Sequence, residues 1–425
     1  MTPPHSRAMT SPHVRAMKPS HVHVVGAGLA GLAAALRLVE QGVGVTLLEA
    51  GPAAGGRCRS YFDRELGCRL DNGNHLLLSG NRAAFAFMDQ VGSRSTLAGP
   101  GHPAFPFMDL ASGERWTVRP NLGKLPWWTL SKRRRVPGTG FTDYAQLLRL
   151  KRAGPEATVA DVLRPGALYR RLLEPFAIAA LNTMPETASA RLLWAVIDES
   201  LADGGRACIP AYPREGLSET FVDPALRWLE ARGAEIRLSR RVSALERCGD
   251  RVTQLDGEAV EAVVLAVPAP VAAGLVPGVR GPDAFESIVN VHFRVDAAPG
   301  EAGFVGLIGG LAEWVFVKPG VVSTTISAGN RFANHDSVTL AQQVWQEVCI
   351  VLQLGGPIPA FRVVREKRAT FAATPEQERH RPVPVVSGNL VLAGDWTATG
   401  LPATIEGAIR SGRRAADLLL DRARE

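Results

Sequence analysis

The feature that most constrains this chain is a short strand, a glycine-rich turn and a helix close to the start of the sequence. An apolar run over residues 22–25 is followed by Gly26, Ala27, Gly28, Leu29, Ala30 and Gly31. A helical pattern and a second apolar run then end at Glu49, so residues 22–49 are predicted to form one right-handed βαβ unit. The first glycine permits the tight turn, the second lets the backbone approach a diphosphate, and the third lets the helix pack on the strand.

Glu49 extends this motif, because an acidic residue is expected at the end of the second strand of a dinucleotide site. It follows Gly31 by 18 residues. A carboxylate at that place accepts hydrogen bonds from ribose hydroxyls and repels a 2′-phosphate. The phosphates lie on the helix N-terminus. The sequence therefore predicts an α/β dinucleotide-binding domain.

Two further segments carry a family resemblance. Glu49 and Ala50 are followed by Gly55, Gly56 and Arg57, and Gly394 and Asp395 precede a predicted helix that begins near Thr404 and Ile405. These segments resemble the FAD-dependent amine oxidase and phytoene desaturase superfamily. The resemblance implies that FAD is the cofactor and that these residues contact it. It places Arg57 beside the diphosphate and Asp395 at the ribityl chain or the diphosphate.

The same resemblance implies how both ends of FAD are bound. The backbone at Val242, which follows a predicted strand, is expected to bracket the adenine. The N–H groups of Thr404 and Ile405 are expected to face the pyrimidine edge of the flavin. This agrees with electrostatics, because reduced flavin carries negative charge near N1 and a helix N-terminus stabilises negative charge.

A narrower resemblance lies in residues 70–81, which contain Asp71, Gly73, Asn74 and His75. Together with residues 213–217 and Asn182-Thr183, this run resembles the hydroxysqualene dehydroxylases, and the similarity covers nearly the whole chain beyond the N-terminal tail. The family implies reductive removal of the hydroxyl of hydroxysqualene to give squalene, for hopanoid or other triterpenoid synthesis. Gly73 and Asn74 are expected to contact FAD.

The reaction itself indicates which side chains to look for. Replacing an allylic hydroxyl with hydrogen needs a proton donor for C–O cleavage and a hydride from reduced flavin. His75 is the candidate acid and Asp71 the candidate orienting group, while a structural aspartate and a packed histidine are the alternative interpretation. Asn290 and His292 share a predicted strand face, which lines either the substrate or solvent.

A missing lysine bears on the reaction class. By resemblance, amine oxidases place a lysine near the flavin N5 in the strand that here includes residues 287–291, and no lysine is present there. This counts against amine oxidation. Two alternatives stay open: an oxidative carotenoid or squalene desaturase, and a non-catalytic prenyl-lipid carrier resembling the GDP-dissociation inhibitors.

The predicted fold class is α/β, with a Rossmann-like FAD-binding domain of the glutathione-reductase type and an interleaved α+β substrate-binding domain. The FAD-binding domain is expected over residues 21–90, 205–280 and 355–425, and the substrate-binding domain over 91–204 and 281–354. Residues 1–20 are expected to be a disordered tail. Residues 262–279 carry no charge, but three prolines favour a buried strand over a membrane helix.

Composition limits the partners and the compartment. The net charge of +7 favours anionic partners, yet no nucleic-acid motif accompanies it. Leu125-Pro126-Trp127-Trp128 followed by the basic run 132–135 suits an anionic membrane surface, or else core tryptophans beside solvated charges. Five cysteines without a CxxC pair indicate no metal ribbon and fit the cytoplasm. The sequence does not identify an electron donor.

Overall fold

A computed structural model describes residues 18–421 of the chain. The strands are β1 His21–Val25, β2 Gly44–Leu48, β3 Ser60–Asp63, β4 Cys68–Asp71, β5 Leu77–Leu78, β6 Leu97–Ala98, β7 Phe105–Asp109, β8 Arg115–Val118, β9 Pro210–Pro213, β10 Glu235–Arg237, β11 Leu245–Cys248, β12 Arg251–Leu255, β13 Glu258–Ala259, β14 Ala262–Leu265, β15 Phe285–Phe293, β16 Phe304–Ile308, β17 Trp314–Lys318, β18 Val321–Ile326, β19 Phe361–Phe371, β20 Val385–Ser387 and β21 Leu390–Leu392. The α-helices are α1 Leu29–Glu40, α2 Arg82–Val91, α3 Leu147–Lys151, α4 Val159–Val162, α5 Glu174–Leu181, α6 Ala190–Asp198, α7 Asp223–Glu230, α8 Ala269–Leu275, α9 Ser337–Leu352, α10 Pro375–Arg379 and α11 Ile405–Asp421.

The first sheet is a parallel sheet with one antiparallel edge strand. Its order is β10-β2-β1-β14-β21-β20, and only β20 runs antiparallel to its neighbour. All four residues of β14 are buried, as in a central strand covered on both faces. The predicted βαβ unit, the buried strand after residue 262 and the last strand before the C-terminal helix are confirmed.

Helices α1 and α11 pack closely against each other beside this sheet. The contact is close because Gly412 has no side chain at the crossing. A Cβ on Gly412 of α11 would lie 2.0 Å from the backbone oxygen of Ala30 in α1. The C-terminal helix therefore lies against the first helix, 380 or so residues earlier in the chain, and Arg37 and Asp417 form an ion pair at 2.7 Å across the two helices.

A second sheet has the order β19-β15-β18-β17-β16-β7-β8. Helix α9 covers one of its faces, where Val289, Val291 and Phe293 of β15 share an apolar core with Val344 and Val348 of α9. Strand β19 pairs with β15 along its length. The expected boundary at residue 355 therefore does not match this sheet, because β19 belongs with the strands of the expected substrate domain.

Residues 141–203 form a series of short helices, as the sequence predicts, and share an apolar core with the second sheet. No helix within residues 18–421 is long and apolar enough to cross a membrane. The expected tail lies outside the described residues up to position 17. Ser20, at its expected end, donates from its hydroxyl to Glu261 at 2.8 Å.

Candidate active site

The glycine turn after β1 contains two glycines that packing requires and one that faces open space. Gly26 has φ +102°, and a Cβ on it would lie 2.4 Å from the oxygen of Ala266. A Cβ on Gly31 would lie 1.8 Å from the oxygen of Gly26, so both positions require glycine for packing. A Cβ on Gly28 would meet no atom within 4 Å. Gly28 therefore leaves its backbone accessible at the start of α1.

Glu49 joins three segments at the end of β2. Its carboxylate accepts hydrogen bonds from the backbone N–H groups of Ala27 at 2.9 Å and Gly51 at 2.8 Å. Its backbone oxygen accepts from Arg240 at 2.8 Å. This last bond brings the segment that contains Val242 next to Glu49. The expected ribose and adenine contacts, with Ala50 beside them, are thus neighbours.

Gly55, Gly56 and Arg57 fold back onto the glycine turn. Gly55 donates to the oxygen of Ala27 at 2.8 Å, and both glycines have positive φ, at +107° and +56°. Arg57 then reaches Asp395, and its Nη2 donates to both carboxylate oxygens at 2.7 Å. The carboxylate of Asp395 raises the pKa of Arg57.

The turn between β21 and α11 holds Asp395 in place and presents a helix N-terminus. Gly394, with φ +150°, lies close to α11, because its N–H donates to the buried Ser411 Oγ at 2.9 Å. The Thr404 hydroxyl accepts from Gly407 N at 3.0 Å and caps the helix that begins at Ile405.

These features fit a flavin dinucleotide. Helix α1 starts at Gly28 with no side-chain cap and no acidic residue in its first turn, so its first N–H groups are available to an anion. Arg57 adds a cation beside this turn, and Glu49 adds a ribose acceptor. The N-terminus of α11 adds a second positive dipole end. The N–H groups, the Arg57 cation and the Glu49 acceptor thus match two phosphates, a ribose and an electron-rich ring.

The end of β4 and the loop that follows it contain the residues expected to act on the substrate. Asp71 is buried, and its carboxylate accepts from the Ser60 hydroxyl at 2.6 Å, from Leu217 N at 2.8 Å and from Lys318 Nζ at 2.5 Å. Burial opposes ionisation of Asp71, but Lys318 keeps its pKa below the ordinary value. Asp71 is therefore a buried carboxylate paired with Lys318.

His75 lies near this ion pair and near Arg57, whose charges influence it. Burial lowers the pKa of His75 to about 4, so its imidazole is neutral at pH 7. Within residues 18–421, Asp71 and His75 share no hydrogen bond. The expected orienting contact is therefore not formed, because Ser60, Leu217 and Lys318 already occupy the carboxylate.

Asn290 and His292 are buried, so the interpretation of a solvated strand face is wrong for them. Asn290 Oδ1 lies 3.4 Å from Asn74 N and accepts its hydrogen bond, while Asn290 Nδ2 donates to the oxygen of Asn72 at 3.4 Å. A Cβ on Gly73 would lie 3.3 Å from Asn290 Nδ2. Asn290 thus connects residues 72–74 to β15 by hydrogen bonds.

His292 belongs to the same polar cluster. Asn74 Nδ2 donates to Ser323 Oγ at 2.7 Å, and Ser323 lies 2.8 Å from His292 Nδ1. Ser323 Oγ therefore links the Asn74 amide to the His292 ring. Burial lowers the pKa of His292 to about 4. The two expected substrate residues thus support the loop that carries His75.

Lys318 is the participant that the sequence analysis missed. It lies at the end of β17 and lines a cavity of about 50 Å³ together with Asp71, Asn74 and His292. Lysine occurs at only six positions in the chain. That scarcity is a usable signal, but it does not indicate a pairing with a carboxylate 247 positions away.

The fold and the site define a flavin-dependent oxidoreductase. A sequence profile of flavin containing amine oxidoreductases matches residues 29–420. The chain also resembles the solved structure of cyclohexylamine oxidase from Brevibacterium oxydans, with a TM-score of 0.69 and 18% identity, covering 96% of this chain and all of the other. At that identity the likeness concerns the fold.

Curated relatives narrow the family. Hydroxysqualene dehydroxylase from Rhodopseudomonas palustris is 47% identical over 94% of this chain and 98% of its own length. The enzyme of the same name from Zymomonas mobilis is 41% identical with the same coverage. The chain therefore belongs to the hydroxysqualene dehydroxylase family within the flavin-containing amine oxidoreductases, and the expected fold class and family are confirmed.

Proposed function

We propose that this protein removes the hydroxyl of hydroxysqualene to give squalene, with reduced FAD as the hydride source. The single observation that carries the proposal is the 47% identity to a hydroxysqualene dehydroxylase over nearly the full length of both chains. The family has a flavin cofactor, and the site contains a residue set suited to it. The product is a hydrocarbon for triterpenoid synthesis.

The choice of FAD over a mononucleotide rests on the adenosine side of the site. Glu49 lies at the end of β2, where a carboxylate accepts from ribose hydroxyls. The segment leading to Val242 is hydrogen-bonded to Glu49 through Arg240. A mononucleotide would leave both groups without a ligand. The glycine turn and Arg57 would bind the two phosphates.

The domain assignment follows the two sheets. We place FAD on the sheet that contains β1, β2 and β14, with contributions from α11. The substrate would lie between the second sheet and the short helices of residues 141–203, which share one apolar core. A C30 hydrocarbon needs such an apolar environment.

The reaction requires one proton and one hydride for each hydroxyl removed. Reduced flavin, when bound, supplies the hydride to the carbon that loses oxygen. The hydroxyl takes up the proton and leaves as water. His75 is the proposed donor. Because burial lowers its pKa to about 4, it would donate from the small protonated fraction of its imidazole. Asn290 and Asn74 would hold its loop in position.

Asp71 and Lys318 have a supporting role in this proposal. Their side chains are 3% and 11% exposed and lie 2.5 Å apart. A buried pair of opposite charges contributes little net charge but fixes the groups around it. We assign Asp71 to positioning residues 71–75, in place of orienting the His75 ring directly.

Three alternatives are less well supported. Amine oxidation would need the lysine that the family resemblance places in the strand where Asn290 lies. A desaturase would share the fold, but the relatives aligned over nearly the full chain at 41% identity or more carry the dehydroxylase name. A non-catalytic carrier would not require Gly28, Glu49, Arg57 and Asp395 together.

The test is an anaerobic single-turnover experiment. The purified protein is loaded with FAD, photoreduced and mixed with hydroxysqualene, and the extracted lipids are measured by mass spectrometry. We expect squalene to form in step with flavin reoxidation. If no squalene forms although bound flavin is reduced, the proposal is wrong, and oxidised enzyme is then tested with squalene and phytoene. A protein that cannot bind FAD would instead support the carrier.

A further inference from the structure

Large apolar side chains are exposed to an unusual degree in one segment of the helical region. Twelve large hydrophobic residues are exposed within residues 18–421, and half of them fall between positions 122 and 148. They are exposed by 49 to 64%: Leu122, Leu125, Trp127, Leu130, Phe141 and Leu148. A concentration of this kind marks an interaction surface.

The same segment and the residues directly after it are strongly basic. Besides Lys124, which pairs with Asp203 at 2.7 Å, six exposed cations lie over residues 132–152: Lys132, Arg133, Arg134, Arg149, Lys151 and Arg152. In the part of the chain that the structure describes, none of the six has a carboxylate within 4.0 Å. The acidic residue Asp143 accepts a hydrogen bond from Gly140 N at 2.7 Å. We call these six cations and the six apolar residues the basic apolar face.

The two halves of the basic apolar face are joined through the core. Trp128 is buried, and its ring centroid lies 5.0 Å from that of Tyr144. The Tyr144 hydroxyl accepts from Val136 N at 3.0 Å. Of the two tryptophans, Trp128 is a core residue, as one interpretation of the sequence expected, whereas Trp127 is exposed. The core contact holds residues 122–135 and 141–152 as one surface.

Helix α6 connects this face to the candidate active site. Lys151 lies 5.9 Å from the ring centroid of Trp194 in α6. Two residues later in the same helix, Val196 lines a cavity of about 50 Å³ together with Leu401, Thr404 and the acidic residues Glu199 and Glu406. Thr404 caps α11, where the flavin ring is expected. Lys151 and this cavity thus contact α6 at positions two residues apart.

We propose that the basic apolar face docks on an anionic lipid bilayer, from which the apolar substrate enters beside α6. Exposed leucine and aromatic side chains insert at the level of the headgroups, while unpaired lysine and arginine bind acidic headgroups. A nucleic acid would use the cations but would not bury isolated leucines. The inference rests on the proposed function for the nature of the substrate.

The test measures sedimentation of the FAD-loaded protein with vesicles of phosphatidylcholine alone or with phosphatidylglycerol added. One variant neutralises four cations of the face, Lys132→Gln, Arg133→Gln, Arg149→Gln and Arg152→Gln. Its matched control neutralises four exposed cations elsewhere, Arg64→Gln, Arg280→Gln, Lys367→Gln and Arg414→Gln. A second variant, Leu125→Ser with Trp127→Ser, is matched by Phe62→Ser with Val383→Ser.

We expect binding to acidic vesicles that both face variants weaken by about 10-fold or more, whereas both controls bind like the parent protein. Turnover of detergent-solubilised substrate should be equal in all five proteins. Failure of the parent to bind acidic vesicles, or equal binding by the face variants, overturns the proposal. Because the sedimentation assay needs no turnover and the detergent assay needs no vesicle, this failure is distinct from a failure of the proposed function.

Discussion

Arg57 and Asp395 lie 338 positions apart in the chain, yet Arg57 Nη2 donates to both carboxylate oxygens of Asp395 at 2.7 Å. Arg57 Nη1 donates to the backbone oxygen of Ala369 at 2.7 Å. The Asp395 side chain is 6% exposed and that of Arg57 45%. This ion pair joins the turn after β2 to the turn after β21, so it connects two distant segments of the chain beside the expected diphosphate of FAD.

Removing one member of this pair should weaken FAD binding. Asp395→Asn leaves Arg57 without its charge partner, and Arg57→Lys cannot reach both Asp395 and Ala369 in the same geometry. We expect the Kd for FAD to rise on the order of 10-fold or more in each variant. Flavin fluorescence quenching measures it. Arg64→Gln, an exposed arginine near the same turn, is the control, and unchanged affinity in both variants would contradict the proposed site.

Two glycines of one motif should respond oppositely to alanine. Gly28→Ala adds a Cβ with no atom within 4 Å, so the apoprotein should keep its unfolding temperature. It should lose FAD affinity, because we expect the diphosphate to occupy that open space. Gly31→Ala adds a Cβ 1.8 Å from the oxygen of Gly26 and should destabilise the apoprotein itself by about 1–3 kcal/mol. Thermal unfolding and FAD titration separate the two. Equal loss of stability would show that Gly28 is structural.

The buried His292 should make stability depend on pH. Its pKa is lowered to about 4 in the folded protein, against about 6.5 in an unfolded chain. The unfolded state therefore binds more protons between these values, so stability is full above pH 6.5 and falls as the pH drops toward 4. We expect a lower unfolding temperature at pH 5 than at pH 7.5. His292→Asn should reduce this pH dependence, and an unchanged profile would argue against a buried neutral imidazole.

Replacement of His75 tests the proton donor. His75→Gln keeps a polar side chain but cannot donate a proton, so turnover should fall about 100-fold or more while FAD affinity stays the same. The measurement is single-turnover reoxidation of the photoreduced enzyme across pH. If His75 is the acid, the part of the pH–rate profile that reports its titration should be absent in His75→Gln. Near parental turnover would remove His75 from the mechanism and direct attention to Lys318.

Lys318 shows why the catalytic region was harder to predict than the cofactor site. The sequence analysis selected Asp71 and His75 from one continuous segment and expected them to contact each other. Hydrogen bonds from Ser60 and Leu217, with the ion pair to Lys318, instead occupy Asp71. These partners come from three separate segments, and no spacing rule connects them.

The sequence by itself determined the parts whose physics is local. The turn at Gly26 requires a positive φ, the helix that begins after Gly28 leaves its first N–H groups available, and Glu49 ends a strand whose apolar run marks it as buried. These properties depend on sterics and hydrogen bonding within about thirty neighbouring residues. The βαβ unit, the late strand and the C-terminal helix were therefore predictable.

Only the tertiary structure decided which distant groups meet and which side chains are exposed. Trp127 and Trp128 are adjacent and chemically identical, but one is 64% exposed and the other 6%. Arg57 pairs with Asp395, and Asn290 supports the loop before His75, because separate sheets bring these segments together. Burial and long-range pairing depend on the packing of the whole chain, so they follow from the fold and not from local pattern.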